Sequence, residues 1–245
     1  MKTSEKIHFI SDWIKEYAHK MPSKAESLIV GISGGIDSSV SSTLCAMTGL
    51  KTIVLSMPIN QKPSQHELSL KHQEWLTKNF SNVEAHTINL DILFTSFKST
   101  LLKFDNEHGM ANSRARLRMT TLYQVAAANK GIVVGTGNKI EDFGVGFYTK
   151  YGDGGVDISP IADCNKTEIW ELGKELNILQ EIIDAAPTDG LWEDSRTDES
   201  QLGIKYSELE EAMENLNSPN REKYEKIRKL NLHKMEPIPV CKIPN

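Results

Sequence analysis

The residues best placed to do chemistry lie in one short run, Gly31-Ile32-Ser33-Gly34-Gly35-Ile36-Asp37-Ser38. Glycines at these positions let the backbone turn tightly, so that its N–H groups and the start of a following helix can face one point and hold a phosphate. The run is neither GxxxxGK[ST] nor GxGxxG, so two common phosphate loops are excluded. Asp37 adds a constraint, because a carboxylate beside a phosphate repels it unless a cation lies between them. That makes Asp37 a candidate Mg2+ ligand facing nucleotide phosphates. Alone, Asp37 or Ser38 would read as an ordinary helix cap. The Ser-Gly-Gly before and the second serine, Ser39, after favour the phosphate loop.

Other chemistry-bearing types are weaker signals. Glu141 sits in a glycine-rich stretch and would ordinarily be a solvated charge; a partner such as Asp37 is needed to make it a metal ligand. Arg114, Arg116 and Arg118 alternate along an expected helix, so at most one or two can face a common ligand. His66 and His72 match no metal-ligand spacing and read as surface residues. Leu117, Met119, Leu122, Tyr123 and Val125 read as core or interface, and Cys45 as a packed small hydrophobe.

The surrounding pattern supplies the elements that would carry this loop. Ile7, Ile10, Ile14 and Tyr17 recur at helical spacing, which predicts a helix ending before Pro22. Leu28–Ser33, Lys51–Met57, Val83–Leu90 and Gly131–Gly135 read as strands. Between them, 38–47, 64–80, 91–104 and 112–129 read as helices, with a turn at Asp105–Met110. Alternating strands and helices predict an α/β fold, a mostly parallel sheet covered on both faces, with its site at the carboxyl ends of the strands. The phosphate loop follows the first expected strand, and the glycine-rich stretch 136–165 follows the fourth. Residues 166–176, 207–216 and 220–230 read as closing helices, and 60–66 and 190–203 as polar, mobile segments.

The bulk composition narrows the class. The chain has 245 residues, 39% apolar and 25% charged, with net charge −5, typical of one globular domain with an ample core. The acidic balance disfavours nucleic acid as the main partner. Three scattered cysteines with no paired spacing predict a reducing, cytoplasmic setting. The charged first segment lacks a leader pattern, and no apolar run is long enough to cross a bilayer.

The SGGIDS loop resembles the signature of the N-type ATP pyrophosphatases, which cut ATP to AMP and pyrophosphate. The stretch GTGNKIEDFGVGFYTKYGDGGVDISPI, Gly135–Ile161, is similar to the ammonia-dependent NAD synthetases within that superfamily, as are ANSRARLRM (111–119), APTDGLW (186–192) and His233-Lys234. The resemblance covers nearly the whole chain. It implies a Rossmann-like, doubly wound sheet of the adenine nucleotide alpha hydrolase type, a single synthetase domain over 1–245 without a glutaminase domain, and a homodimer paired through 112–129. It also implies ATP-driven amidation of deamido-NAD by ammonia, with nicotinate mononucleotide or another pyrophosphatase-type synthesis as the alternative. Gly31 to Ser38, Thr136, Lys166 and Thr188 would then bind ATP, with Asp37 and Lys166 catalytic. Asp37 and Glu141 would hold Mg2+, and Arg116, Lys150, Asp157, His233 and Lys234 would bind the acceptor. Two other classes fit less well. Thiolating relatives need a catalytic cysteine near the loop, and non-catalytic nucleotide-binding modules lack the acidic pair.

Overall fold

The structure, a computed structural model, describes residues 1–61, 63–188 and 197–244, with the backbone alone at 63–65. The elements run α1 (Thr3–Lys20), β1 (Ser27–Gly31), α2 (Ile36–Met47), β2 (Lys51–Ser56), α3 (Pro63–Asn79), β3 (Val83–Thr87), α4 (Asp91–Thr100), α5 (Glu107–Ala128) and β4 (Gly131–Val134). A π-helical turn follows at Lys139–Val145, then α6 (Lys166–Glu175), α7 (Gln180–Ile183), α8 (Asp198–Leu202), α9 (Tyr206–Glu214) and α10 (Arg221–Met235).

The strands pair in parallel in the order β3-β2-β1-β4. Side chains alternate across a strand, and here both faces are apolar. Leu28, Val30, Val54, Ile132 and Val134 point into a core shared with α1, α2 and α6. Ile29, Ile53, Leu55 and Val133 point into a second core beneath α4 and α5. The sheet is thus wound on both sides, as the alternating pattern predicted. The chain leaves β1 for β2 and β3 on one side and returns to β4 on the other. The carboxyl ends of β1 and β4 therefore form the switch point where such sheets hold ligands.

A third apolar cluster lies outside the sheet. Ile140 and Val145 of the π-helical turn pack with Ile204, Tyr206, Leu209 and Ala212, and with Tyr224 of α10. This packing fixes the segment after β4.

Several boundaries differ from the sequence reading. On α1 the fully buried fourth position is Ala18, while Tyr17 stays 40% exposed. The expected turn at 105–110 is largely helix, because the Asn106 side chain accepts from Gly109 N at 2.8 Å and starts α5 at Glu107. Of the segments read as mobile, Pro63–His66 begins α3 and Asp198–Leu202 forms α8; Lys62 and 189–196 lie outside the described residues. α10 runs on to Met235, so His233 and Lys234 sit in its last turn.

Candidate functional site

The loop after β1 is drawn together by its own hydroxyls. Ser33 Oγ accepts from Gly35 N at 3.1 Å, and Ser38 Oγ accepts from Ser33 N at 3.2 Å. Ser38 and Ser39 both return hydrogen bonds to Gly35 O, at 3.0 and 2.9 Å. Gly34 takes φ +89°, a conformation that suits glycine. Ile32 and Ile36 are buried in the core below, so only their backbones can face a ligand.

α2 starts at this loop with Gly35 as its N-cap and no capping side chain. Neither Asp37 nor Ser38 is the cap of this helix. Asp37 lies in the first helical turn, and its carboxylate leaves the helix altogether. Oδ1 accepts from Asn138 Nδ2 at 3.0 Å and Oδ2 from Lys166 Nζ at 2.5 Å. An uncapped helix start has unsatisfied N–H groups and a positive dipole end, which together attract an anion.

Residues from four separate elements join into one network through this carboxylate and Glu141. Asn138, fully buried after β4, bonds Asp37 through its amide and also accepts from Glu141 N at 3.0 Å, which starts the π-helical turn. Glu141 Oε1 in turn lies 3.0 Å from Lys166 Nζ and 2.5 Å from the Tyr206 hydroxyl. Lys166 is the first residue of α6, and Tyr206 the first of α9. The Lys166 ammonium also stands 5.0 Å from the centre of the Tyr206 ring. Lys166 is 2% exposed, Asp37 and Glu141 only 17% and 15%. The two acids are partly buried members of an ion triad, not the surface-lying ligands that a loop position suggests.

Charge in this pocket is held by pairing. Burial opposes the Lys166 ammonium, but Asp37 and Glu141 more than offset it, so its pKa rises and it stays charged. Burial pushes the Asp37 carboxyl up against the pull of Lys166. At Glu141 the same burial is overcome by Lys166 and the Tyr206 hydroxyl, and the pKa falls below the usual range. Burial, with Glu141 and Asp198 nearby, pushes the Tyr206 phenol far up, so it remains a proton donor. Asp142 is pushed well above the carboxylate range by burial and by Asp153, Glu141 and Asp37. Asp37 and Glu141 thus bring two carboxylate groups to one ammonium, an arrangement that a divalent cation could also satisfy. Among the described residues no three His, Cys, Asp or Glu side chains form a metal cage. Two carboxylates converging on one cation suit Mg2+, which commonly takes one or two protein carboxylates and completes its shell with phosphates and water.

The expected acceptor residues gather elsewhere, between the middle of α5, the loop at Lys150 and the end of α10. Arg116 donates to Lys150 O at 3.3 and 3.4 Å, Lys150 Nζ donates to His233 O at 2.8 Å, and Lys234 Nζ reaches Gly146 O and Tyr148 O at 2.8 Å each. Burial lowers the Lys234 pKa, with Asp153 opposing. Asp157 is not in this group: its carboxylate accepts from Tyr123 OH at 3.0 Å and Val133 N at 2.7 Å. Arg118 instead donates to Met57 O at 3.0 Å, and Arg114 covers the Phe94 ring at 4.7 Å. Leu117, Leu122, Tyr123 and Val125 pack onto the protein's own sheet. Thr136 follows β4 two residues before Asn138. Thr188 is half-buried beside Pro187, whose carbonyl accepts from Asp198 N at 3.0 Å at the start of α8.

The sequence reading missed Asn138 and Tyr206, and it placed His72 at the surface. His72 is fully buried, 3.0 Å from Ser42 Oγ and stacked on Trp75. Leu68, Trp75 and Leu76, one helical turn away on either side of His72, were the available signal. Tyr206 lies 65 positions from the acid it bonds, and no local pattern announces that.

Residues 6–243 match the family model described as NAD synthase. The chain belongs to the NAD synthase family. Its members are ligases, and the Rossmann-like fold agrees with theirs. The chain is 36% identical over 211 residues to the NH(3)-dependent NAD(+) synthetase of Carboxydothermus hydrogenoformans, covering 84% of this chain and 83% of that protein. A relative of the same name from Mesoplasma florum is 36% identical over 241 residues, covering 96% and 95%. Among solved structures, the NMN synthetase from Francisella tularensis superposes with TM-score 0.89 at 31% identity, covering 100% of this chain and 99% of that one. The loop and the ion triad lie together at the β1–β4 switch point of this family's fold.

Proposed function

We propose that this NAD synthase family member amidates deamido-NAD with ammonia, using ATP and releasing AMP and pyrophosphate. The observation that carries the reading is the Asp37–Lys166–Glu141 triad beside the uncapped start of α2. The names of the curated relatives support ammonia as the nitrogen donor.

In this reading the backbone of Gly31 to Ser38, with Thr136, Lys166 and Thr188, binds ATP. The acceptor carboxylate attacks the α-phosphorus and pyrophosphate leaves; ammonia then adds to the acyl carbon, and AMP departs with one former carboxylate oxygen. Lys166 meets the charge that gathers on phosphorus. Asp37 and Glu141 would hold Mg2+, which when bound supplies further charge neutralisation. The low exposure of the triad keeps water from the activated acyl group. Arg116, Lys150, His233 and Lys234 would hold the acceptor, with Asp157 acting at the outer edge of β4. The protein would work as a homodimer; light scattering at micromolar concentration giving a monomer mass would oppose that. Free Cys45, Cys164 and Cys241 fit a reducing cytoplasm.

The likeness to an NMN synthetase favours a second reading, in which nicotinate mononucleotide is the acceptor. The triad acts on the carboxylate that both molecules carry, so it does not discriminate. Comparing kcat/KM for the two acceptors under identical ATP and ammonia decides between them. A preference for deamido-NAD is expected, and a preference for the mononucleotide would replace the acceptor while leaving the chemistry intact. Robust turnover with glutamine in ammonia-free buffer would refute ammonia as the direct donor.

A further inference from the structure

Tyr206 is held from every side. Its ring is 2% exposed, meets Trp170 edge-on at 6.3 Å, and lies 5.0 Å from the Lys166 ammonium. Its backbone N–H donates to Glu199 Oε1 at 2.9 Å. Its hydroxyl stands 2.5 Å from Glu141 Oε1 and 3.2 Å from Asp198 Oδ2. A phenol has one proton to give, and the shorter contact identifies Glu141 as the main acceptor. The hydroxyl therefore meets the same oxygen that Lys166 touches.

A glutamate on a π-helical turn has several rotatable bonds, and Lys166 alone fixes only one direction. A second donor from another element removes that freedom. We infer that Tyr206 is a positioning residue for Glu141, whose hydroxyl sets the direction of this carboxylate toward the shared cation position. The inference rests on the proposed Mg2+ role of Glu141. α8 contributes through Asp198 and Glu199, which grip both ends of Tyr206 and make the orientation of Glu141 depend on how α8 is seated. Partners of this kind, one step behind a metal-facing ligand, commonly change metal affinity or activity by about 10- to 100-fold when removed.

The test compares wild type, Tyr206→Phe, Tyr206→Leu and Glu141→Gln. Mg2+ binding is measured by calorimetry in the presence of α,β-methylene-ATP, alongside the Mg2+ dependence of kcat and the acceptor KM. Tyr206→Phe keeps the ring and its packing, so it is expected to fold like wild type. It should weaken Mg2+ binding by about tenfold or more and leave the acceptor KM within about twofold. Tyr206→Leu should add a loss of thermal stability. If Tyr206→Phe binds Mg2+ like wild type while Tyr206→Leu fails, the ring matters only for packing and the positioning role is wrong. If wild type and Glu141→Gln bind Mg2+ equally, the metal reading itself fails, and the positioning role falls with it.

Discussion

The two ends of the proposed reaction are built differently. At the switch point, Asp37, Asn138, Glu141, Lys166 and Tyr206 bond to one another side chain to side chain, from elements far apart in sequence. On the acceptor side, Arg116, Lys150 and Lys234 donate to backbone carbonyls, and Arg116 and His233 are exposed. A buried side-chain network is rigid and intolerant, because removing one member strands its charged partners. Cations resting on carbonyls can turn to a ligand without leaving a buried charge behind. In the proposed reaction the chemistry would thus be held fixed, while recognition would be left adjustable.

The sharpest way to break that contrast is at Lys166. Lys166→Met should lower kcat by about 10²- to 10³-fold, the usual effect of losing one donor that stabilises the transition state. It should also destabilise the fold by about 3 kcal/mol, because Asp37 and Glu141 lose a buried partner. Release of AMP and pyrophosphate and urea unfolding read the two effects. Full stability in this variant would mean that the triad is not a network.

His72 tests dryness behind the loop. Burial lowers its pKa from 6.5 to about 4, below its unfolded value, so the unfolded chain binds the proton first. Stability is then full above pH 6.5 and is lost as pH falls toward 4, by about 3 kcal/mol in total. Urea unfolding between pH 7 and 4 should show a shallower decline for His72→Leu than for wild type. Parallel profiles would show that the imidazole is hydrated.

On the other side, Arg116→Met should raise the acceptor KM about tenfold, the worth of one hydrogen bond to a charged group, with kcat within about twofold. A fall in kcat like that of Lys166→Met would erase the distinction between the two regions. Smaller still, Gly146 joins them. It has φ +67°, and a Cβ there would stand 2.7 Å from Asn231 Cβ, so Gly146→Ala should cost about 1–2 kcal/mol and loosen α10. Urea unfolding without that loss would mean α10 yields freely.

What the sequence could reveal follows the same division. Continuous apolar runs in Leu28–Val30 and Ile132–Val134 announced strands buried on both faces, and the glycines after them announced the loop. Asp37 and Glu141 were legible because motifs carry them, and Lys166 only as the resemblance implied it; the structure brings all three within one contact. Asp157 shares a motif with Lys150 yet bonds Val133 N, because its backbone runs alongside β4. The burial of Asn138 and His72 and the reach of Tyr206 come from packing between distant elements, which local spacing does not encode. The start of α5 was missed for a local reason, since Asn106 caps a helix inside a run that reads as a turn.

In the proposed reaction the triad serves transfer of adenylate to a carboxylate. The most direct test is one turnover with deamido-NAD labelled by 18O in the carboxylate, followed by mass analysis of the nucleotide product. Attack by the carboxylate on the α-phosphorus should give AMP carrying one label in its phosphate, with unlabelled pyrophosphate. Unlabelled AMP, or ADP with inorganic phosphate, would contradict it.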